Sequence, residues 1–192
     1  GRVIRKNGDV ETGHKLARDI VENRYLNGYV AHSPMEPHTA VAKFDGDGLT
    51  VWASTQTPFG LQRQLVDETK LPIEKIHVIT PFVGGGFGGK ISNGQAIQAV
   101  KIAKIAGKPV QVAWSRADEF FYDTFRPAAA VNIKSGISDS GKIVSWDYSI
   151  YGMGGRGSDM FYDVLHHRTT TYQNLRDGER MHDLGTGAWR AP

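Results

Sequence analysis

Hydrophobic residues recur at helical spacing in two stretches of the chain. Leu61, Leu65 and Val66 stand on an otherwise polar background and predict an amphipathic helix between residues 59 and 71, with its apolar stripe on a neighbouring sheet. Gly107 is a favourable C-terminal cap for a second helix. Five apolar residues predict that second helix: Ala96, Ile97, Val100, Ala103 and Ile105.

Short runs of apolar and β-branched residues, separated by turns, predict the strands. The runs cover residues 24–32, 39–44, 49–53, 75–79, 109–114, 129–134 and 142–151. The first two are predicted to pair across a turn containing Pro34 and Pro37, and the last two to form a hairpin turned at 138–141. This order predicts an α+β fold, with mixed, largely antiparallel sheets packed with a few helices.

The two ends of the chain carry weaker patterns. Residues 1–20 are rich in charged side chains and are predicted to be a linker leading into a short polar helix, so that the domain covers 21–192. After Gly152 the pattern weakens into loops. The chain begins without methionine and ends after a glycine-rich turn, and we therefore expect an internal fragment, a partial domain of a larger subunit.

Composition argues against several classes of protein. With 192 residues, 40% of them hydrophobic, the chain is long enough for one folded domain. Its 23 basic and 20 acidic side chains are scattered, which argues against a nucleic-acid surface. No apolar run approaches the roughly 20 residues needed to span a membrane. Because cysteine is absent, the chain provides no disulfide, zinc–thiolate site or iron–sulfur ligand.

Five glycines occupy the six positions from 84 to 89, with Phe87 among them. Glycine is needed where the backbone takes a positive φ or where a ligand approaches without a Cβ in the way, so this stretch predicts a bound group. Its Gly-x-Gly-x-x-Gly spacing matches the dinucleotide fingerprint. That alternative lacks the acidic residue expected after the next strand, where Trp114, Ser115 and Arg116 stand, and Pro81 interrupts the approach.

The same stretch also matches a phosphate-binding loop as far as Lys90. A serine or threonine that binds magnesium should follow the lysine, but Ile91 stands there, and Ser92 would face another side of the helix. A tight bend without a ligand would not need so many glycines around an aromatic residue.

Five ordered motifs resemble one known family. The loop FVGGGFGGK at 82–90 resembles the glycine loop in the large subunit of the xanthine dehydrogenase and aldehyde oxidoreductase family of molybdenum hydroxylases. The stretches AHSPMEPH at 31–38, VWASTQT at 51–57, DTFRP at 123–127 and GAWRAP at 187–192 agree in the same order. The likeness covers about residues 9–192, and its MEP and AWRAP forms are most similar to bacterial isoquinoline oxidoreductase and carbon monoxide dehydrogenase types.

The resemblance implies a molybdopterin cofactor with molybdenum, expected in the cytosine dinucleotide form. The cofactor-binding positions carried over are Gly85, Gly86, Phe87, Gly88 and Arg190. The amide of Phe87 is expected near the metal and its ring against the substrate pocket, while the main chain of Arg190 approaches the metal.

Gln56 matches the glutamine whose side-chain amide donates to the apical oxo ligand in this family. A neutral donor suits this place, because a lysine would withdraw electron density more strongly and an aliphatic side chain would leave the oxo ligand without a donor. The resemblance thus implies that Gln56, Phe87 and Arg190 lie near molybdenum without being direct side-chain ligands, and it makes Gln56 a catalytic candidate.

Three further positions bear on the substrate. Arg126 matches the arginine that faces substrate and can stabilise developing negative charge, which makes it the second catalytic candidate. Ile91 stands where purine-hydroxylating members carry a glutamate, and Pro192 replaces the phenylalanine on which they stack purines. The resemblance therefore implies an apolar heteroaromatic substrate or an aldehyde.

Parts of the family's machinery are expected elsewhere. The general base is a glutamate late in the large subunit, outside this chain, so the fragment alone should be inactive. Expected partners are the remaining large-subunit domain, a small iron–sulfur subunit and a small-molecule substrate, with iron–sulfur clusters, and FAD where present, in partner chains. Such enzymes occur in the bacterial cytoplasm or periplasm.

Other polar residues of these motifs have structural interpretations that need no bound cofactor. Glu36 is expected to satisfy nearby backbone donors, and His32 and His38 to be hydrogen-bonded histidines, because their spacing lacks a third metal ligand. For the whole domain, the competing hypothesis is a non-catalytic ligand-binding module of the same fold.

Overall fold

The computed structural model describes residues 1–152, 157–172 and 185–189, which form two compact units. The first unit combines Gly1–Val30 with the described residues of Pro127–Asp183. The second combines Ala31–Arg126 with the described residues of Leu184–Pro192. The glycine-rich stretch and the motifs that resemble its family lie mainly in the second unit.

Four helices and eleven strands occur within the described residues. In chain order they are β1 (Arg2–Asn7), α1 (Val10–Lys15), β2 (Asp19–Asn27), β3 (Val30–Ala31), β4 (Thr39–Asp45), β5 (Gly48–Ala53), α2 (Pro58–Thr69), β6 (Ile76–Ile79), α3 (Gly94–Ala106), β7 (Val110–Ala113), α4 (Arg116–Tyr122), β8 (Phe125–Arg126), β9 (Ala129–Ile137), β10 (Ile143–Tyr151) and β11 (His166–Tyr172). The short strands β3 and β8 pair as a separate two-stranded sheet.

The first unit is a mixed five-stranded sheet of order β1-β11-β10-β9-β2. Strands β10 and β11 run parallel, and the other pairs described in this sheet are antiparallel. Helix α1 packs against β10 and β11, and its first turn is capped by Asp9, whose carboxylate accepts from the Thr12 amide at 2.8 Å. The predicted site residues that the structure describes all lie in the other unit.

The second unit packs α2 and α3 against a mixed sheet of order β6-β5-β4-β7. Strands β5 and β6 are parallel, and β4 is antiparallel to both of its neighbours. Alternate residues of β5 point into the core, as the two-residue period of a strand requires. The core combines Leu49, Val51 and Ala53 of β5 with Leu61 and Leu65 of α2 and a stripe of Ala96, Ala99, Val100 and Ala103 on α3.

The predicted α+β class with mixed sheets is confirmed. Both predicted helices form, as α2 and α3, and the predicted hairpin forms as the antiparallel pair of β9 and β10. Gly107 ends α3 in the left-handed conformation, with a φ of 62°. No helix among the described residues is long and apolar enough to cross a membrane.

One predicted pairing is wrong. The runs at 24–32 and 39–44 were expected to pair across a turn, but β2 pairs with β9 and β4 pairs with β5 and β7. Both runs have strand-forming composition, and composition does not determine which sheet a strand joins. Residues 1–20, predicted to be a linker, contain strand β1 before the short helix α1.

The glycine-rich stretch lies between β6 and α3 without regular structure until a 3-10 turn at Gly89–Ile91. A dinucleotide fingerprint needs a βαβ unit in a parallel sheet. Here β6 and β7 are separated by β5 and β4, and β4 is antiparallel to β7. The topology therefore disfavours the dinucleotide alternative.

Candidate functional site

The glycine loop, residues 81–90, is shaped by contacts with its own chain. A Cβ on Gly84 would lie 2.6 Å from the Cβ of Glu36, and a Cβ on Gly86 would collide with the side-chain oxygen of Gln56. Real Cβ atoms essentially never approach so closely. At these two positions the missing Cβ makes room for side chains of the same chain.

Gly88 and Gly89 also lie against other parts of the second unit. Gly88 has a φ of 107°, and a Cβ there would collide with the backbone carbonyl of Ala188. A Cβ on Gly89 would lie 2.6 Å from the carboxylate of Asp123. Four of the five glycines thus allow other groups of the same chain to pack closely against the backbone of the loop. These contacts fix the position of the loop.

Three successive amides of the loop are unpaired within the described part of the chain. The N–H groups of Gly85, Gly86 and Phe87 have no acceptor among the described residues. Phe87 has a φ of 54°, which is costly for an aromatic residue, and it is 46% exposed. Unpaired backbone amides close together in a turn are suited to receive an anionic or acceptor-rich group.

Gln56 follows β5 and is held by the glycine loop. Its main-chain N–H donates to the carbonyl of Lys90 at 2.8 Å, and its Oε1 accepts from the N–H of Gly88 at 2.9 Å. Because the Gly88 amide can bond only to an acceptor, this contact fixes which end of the side-chain amide is oxygen. The Nε2 of Gln56 therefore carries two protons with no acceptor in the described part of the chain.

Lys90 closes the loop through an ion pair. Its Nζ lies 2.7 Å from Oε2 of Glu36, and the same oxygen accepts from the N–H of Gly84 at 2.7 Å. Partial burial tends to raise the pKa of Glu36, but the bonds from Lys90 and Gly84 outweigh it and hold this pKa below its usual value. The expectation that Glu36 satisfies backbone donors is confirmed, and the phosphate-loop alternative is disfavoured because its lysine is already paired.

His32 connects the loop region to the segment 185–189. Its Nε2 lies 2.7 Å from the carbonyl oxygen of Ala188, and its Nδ1 lies 3.3 Å from Oδ2 of Asp123. Burial lowers the pKa of His32, but the contacts with Asp123 and Ala188 outweigh it, so this pKa is raised. Nδ1 makes no hydrogen bond within the described chain, so the carboxylate of Asp123 favours the charged form of the ring through electrostatic attraction.

His38 is held in a different way. Its Nδ1 lies 2.8 Å from Oε1 of Glu119, whose other oxygen pairs with Arg116. No group of three or more His, Cys, Asp or Glu side chains placed to hold a metal ion occurs among the residues that the structure describes. Both histidines are hydrogen-bonded to protein groups, which confirms that expectation.

Arg126 lies in β8 beside the segment 185–189. Its guanidinium carbon is 5.8 Å from the centre of the Trp189 ring, which also lies 5.1 Å from the ring of His32. A cation over an indole face is attracted by the ring quadrupole, so Trp189 restrains the arginine head group. In the sequence, Trp189 is visible only as part of the GAWRAP motif.

The structure brings several predicted residues together. Gln56 contacts Gly86 and Gly88, Phe87 lies between these two glycines, and the backbone of Gly88 is next to Ala188. Ile91, predicted for the substrate pocket, is 41% exposed just beyond the loop. The predictions for Arg190 and Pro192 fall outside the described residues.

Sequence reasoning missed the partners that hold these groups. Asp123 and Lys90 were noticed only within motifs, and their contacts with His32 and Glu36 join residues 91 and 54 positions apart. One signal was present, because the motifs at 31–38 and 82–90 each contain one member of the Glu36–Lys90 pair.

Comparison with known proteins identifies the family. The family described as molybdopterin cofactor-binding domain matches residues 1–175. The chain belongs to this family. The assignment made from the five motifs is thereby confirmed, and the chain is a molybdopterin-binding domain of the molybdenum hydroxylases.

Individual relatives of the molybdopterin-binding domain are considerably longer. The molybdenum-binding subunit PaoC of an aldehyde oxidoreductase from Escherichia coli O157:H7 is 33% identical over 72% of this chain and 19% of its own length. A probable hypoxanthine oxidase, XdhD, from the same organism is 34% identical over 72% of this chain and 14% of its own length. The chain therefore spans less than a fifth of the length of these relatives.

A solved structure supports the fold. The aldehyde oxidoreductase from Desulfovibrio gigas superposes with a TM-score of 0.81 and 18% identity, covering 98% of this chain and 22% of that one. At this identity the likeness shows the fold alone.

The described residues fit a molybdopterin group. Such a group is anionic and its metal ligands accept hydrogen bonds, so it needs donors that need not carry a formal charge. The unpaired amides of Gly85, Gly86 and Phe87 and the Nε2 of Gln56 are donors of this kind.

Proposed function

We propose that this molybdopterin-binding domain holds the molybdenum end of the cofactor within the large subunit of a molybdenum hydroxylase. One observation carries the proposal: three loop amides and Nε2 of Gln56 are donors without an acceptor in the described chain, beside a loop locked by its own contacts. The whole enzyme would hydroxylate an aldehyde or a heteroaromatic carbon with water and pass electrons to iron–sulfur clusters in a partner.

Each residue that would hold the cofactor has a distinct role in this proposal. When bound, the cofactor supplies the two-electron redox chemistry. Gln56 would donate from Nε2 to an acceptor ligand of the metal, because its Oε1 is already committed to Gly88. The amides of Gly85, Gly86 and Phe87, with Gly88 and Arg190, would bind the cofactor, and neither Gln56, Phe87 nor Arg190 would ligate molybdenum through its side chain.

Arg126 would act on the substrate. Its guanidinium, restrained over Trp189, is a permanent positive charge that can stabilise negative charge developing on an attacked carbonyl or heterocycle. Ile91 and Pro192 would give the substrate pocket apolar walls, which favour an aldehyde or an apolar heteroaromatic compound over a purine.

The remaining machinery would come from outside this chain. A glutamate elsewhere in the large subunit would be the general base, so these 192 residues would be inactive alone. We further propose the cytosine dinucleotide form of molybdopterin, a second large-subunit domain, a small iron–sulfur subunit, FAD where present in a partner chain, and a bacterial cytoplasmic or periplasmic location.

The proposal is tested on the full-length protein. Wild type should contain molybdenum and molybdopterin, and Gln56→Ala should keep its fold but lose about 10²–10³-fold in turnover of an aldehyde or heteroaromatic substrate, the usual cost of removing one aimed donor. Gln111→Ala, an exposed glutamine on β7, is the matched control and should behave as wild type. Wild type without molybdenum would refute the function. A wild type that turns over neither an aldehyde nor a heteroaromatic substrate would favour the non-catalytic module, and unchanged turnover in Gln56→Ala would refute the role given to Gln56.

A further inference from the structure

The side chain of Lys90 is wholly buried, whereas lysine is usually exposed. Its Nζ lies 2.7 Å from Oε2 of Glu36, and no other acceptor contacts it in the described residues. A buried ammonium without a counter-charge is strongly unfavourable, so the position of Lys90 depends on Glu36. The side chain of Glu36 is 29% exposed and keeps some contact with water.

Glu36 holds the beginning of the glycine loop at two points. Its Oε2 accepts from the N–H of Gly84 at 2.7 Å, and its own N–H donates to the carbonyl of Gly84 at 3.2 Å. The same carboxylate oxygen therefore binds Gly84 at the start of the loop and Lys90 at its end. This single oxygen atom therefore links Gly84 to Lys90 and restrains the distance between them.

The main chain of Lys90 extends this connection to Gln56. The carbonyl of Lys90 accepts from the N–H of Gln56 at 2.8 Å, and Oε1 of Gln56 accepts from the N–H of Gly88 at 2.9 Å. A displacement of Lys90 would therefore move both the end of the loop and the residue whose Nε2 is the proposed donor. The loop and Gln56 belong to one connected set of hydrogen bonds.

We propose that Glu36 and Lys90 are positioning residues of the cofactor site, whose ion pair sets the loop geometry and so orients the amides of 85–87 and Nε2 of Gln56. This inference rests on the proposed function. In this proposal neither residue touches the cofactor. Both act through the backbone they hold, as outer partners hold the groups that touch a metal centre.

The unequal burial of the pair predicts unequal effects of substitution. Glu36→Gln retains an oxygen that can accept from Gly84, but it leaves the ammonium of Lys90 buried without a counter-charge. Lys90→Met removes the buried charge, and Glu36 can then be solvated while it still binds Gly84. Glu36→Gln should therefore be the more damaging variant.

The test uses the full-length enzyme and three readouts: molybdenum per subunit, the electron paramagnetic resonance spectrum of the centre, and thermal stability. Lys90→Met should remain folded but lose about 10-fold or more in cofactor affinity or turnover, with an altered spectrum. Glu36→Gln should lose more, and Lys90→Arg, which keeps the charge, should recover part of the loss. Lys43→Met, which breaks the exposed Lys43–Asp45 pair, should match wild type.

The outcomes separate this inference from the proposed function. Wild type without molybdenum overturns the proposed function and this inference with it. A loaded wild type, together with a Lys90→Met variant of unchanged loading, spectrum and turnover, overturns the positioning role alone. If Lys90→Met does not fold, Glu36→Asp decides, because its carboxylate is one methylene shorter and cannot reach Gly84 and Lys90 without moving the loop: an altered spectrum supports the role, and a wild-type spectrum with full loading overturns it.

Discussion

Gly88→Ala should destabilise the chain far more than an alanine at another left-handed glycine. The backbone strain at a φ of 107° costs about 1–3 kcal/mol for a residue with a Cβ. The new methyl group would also displace the carbonyl of Ala188, and losing a hydrogen bond to a charged partner such as His32 costs about 1.5–3 kcal/mol. The expected total is about 2.5–6 kcal/mol.

Gly107→Ala isolates the backbone contribution. Gly107 has a φ of 62°, and a Cβ there would meet nothing within 4 Å, so only strain of about 1–2 kcal/mol is expected. The comparison is made by urea unfolding of the 192-residue chain, followed by tryptophan fluorescence. Equal losses for the two variants would refute the argument that Gly88 is required by the approach of Ala188.

Three further predictions concern pH, the core and a helix cap. The pKa of His32 is raised in the folded state, so the charged ring stabilises the fold fully below its usual pKa of about 6.5. This contribution to the free energy of unfolding is lost as the pH rises through the folded pKa. Urea midpoints measured from about pH 6 to 9 should therefore fall for wild type and not for His32→Gln. Leu65→Ala in the core should cost about 2–5 kcal/mol of unfolding free energy and exposed Leu16→Ala less than about 0.5, or the core assignment is wrong. Ser115→Ala removes the capping box that Ser115 forms with Asp118 and should cost about 0.5–2 kcal/mol in the same assay, an unchanged midpoint counting against the cap.

Elements with a strong local pattern could be predicted, and elements held by distant partners could not. The stripe from Ala96 to Ala103 and the alternation of β5 are visible in the sequence because each element has one apolar face. Strand β11 has the sequence HHRTTTY, which lacks such alternation, and its pairing with β10 and β1 determines its conformation. Helix α4 was missed although its serine and aspartate at capping-box spacing were present.

The candidate site was accessible from sequence only as a set of motifs. Resemblance indicated Gln56 and the glycine loop, but the orientation of the Gln56 amide follows from its bond to Gly88, 32 positions later. The glycines were interpreted through local sequence, where a missing Cβ suggests a ligand. Their neighbours in the fold are Glu36, Gln56 and Ala188, and no local pattern reveals such contacts.

The inward-facing glycines change how substitutions in this loop should be interpreted. A loss of cofactor after substitution of Gly84, Gly86 or Gly88 would report first on the packing of the loop against its own chain, because a Cβ there meets protein atoms. Contact with the cofactor is better assigned through groups whose donors are unpaired, the amides of 85–87 and Nε2 of Gln56. The positive φ of Phe87 supports this distinction between packing glycines and unpaired donors. The flanking glycines contact the rest of the unit, and these contacts hold Phe87 in an otherwise unfavourable conformation that leaves its amide unpaired.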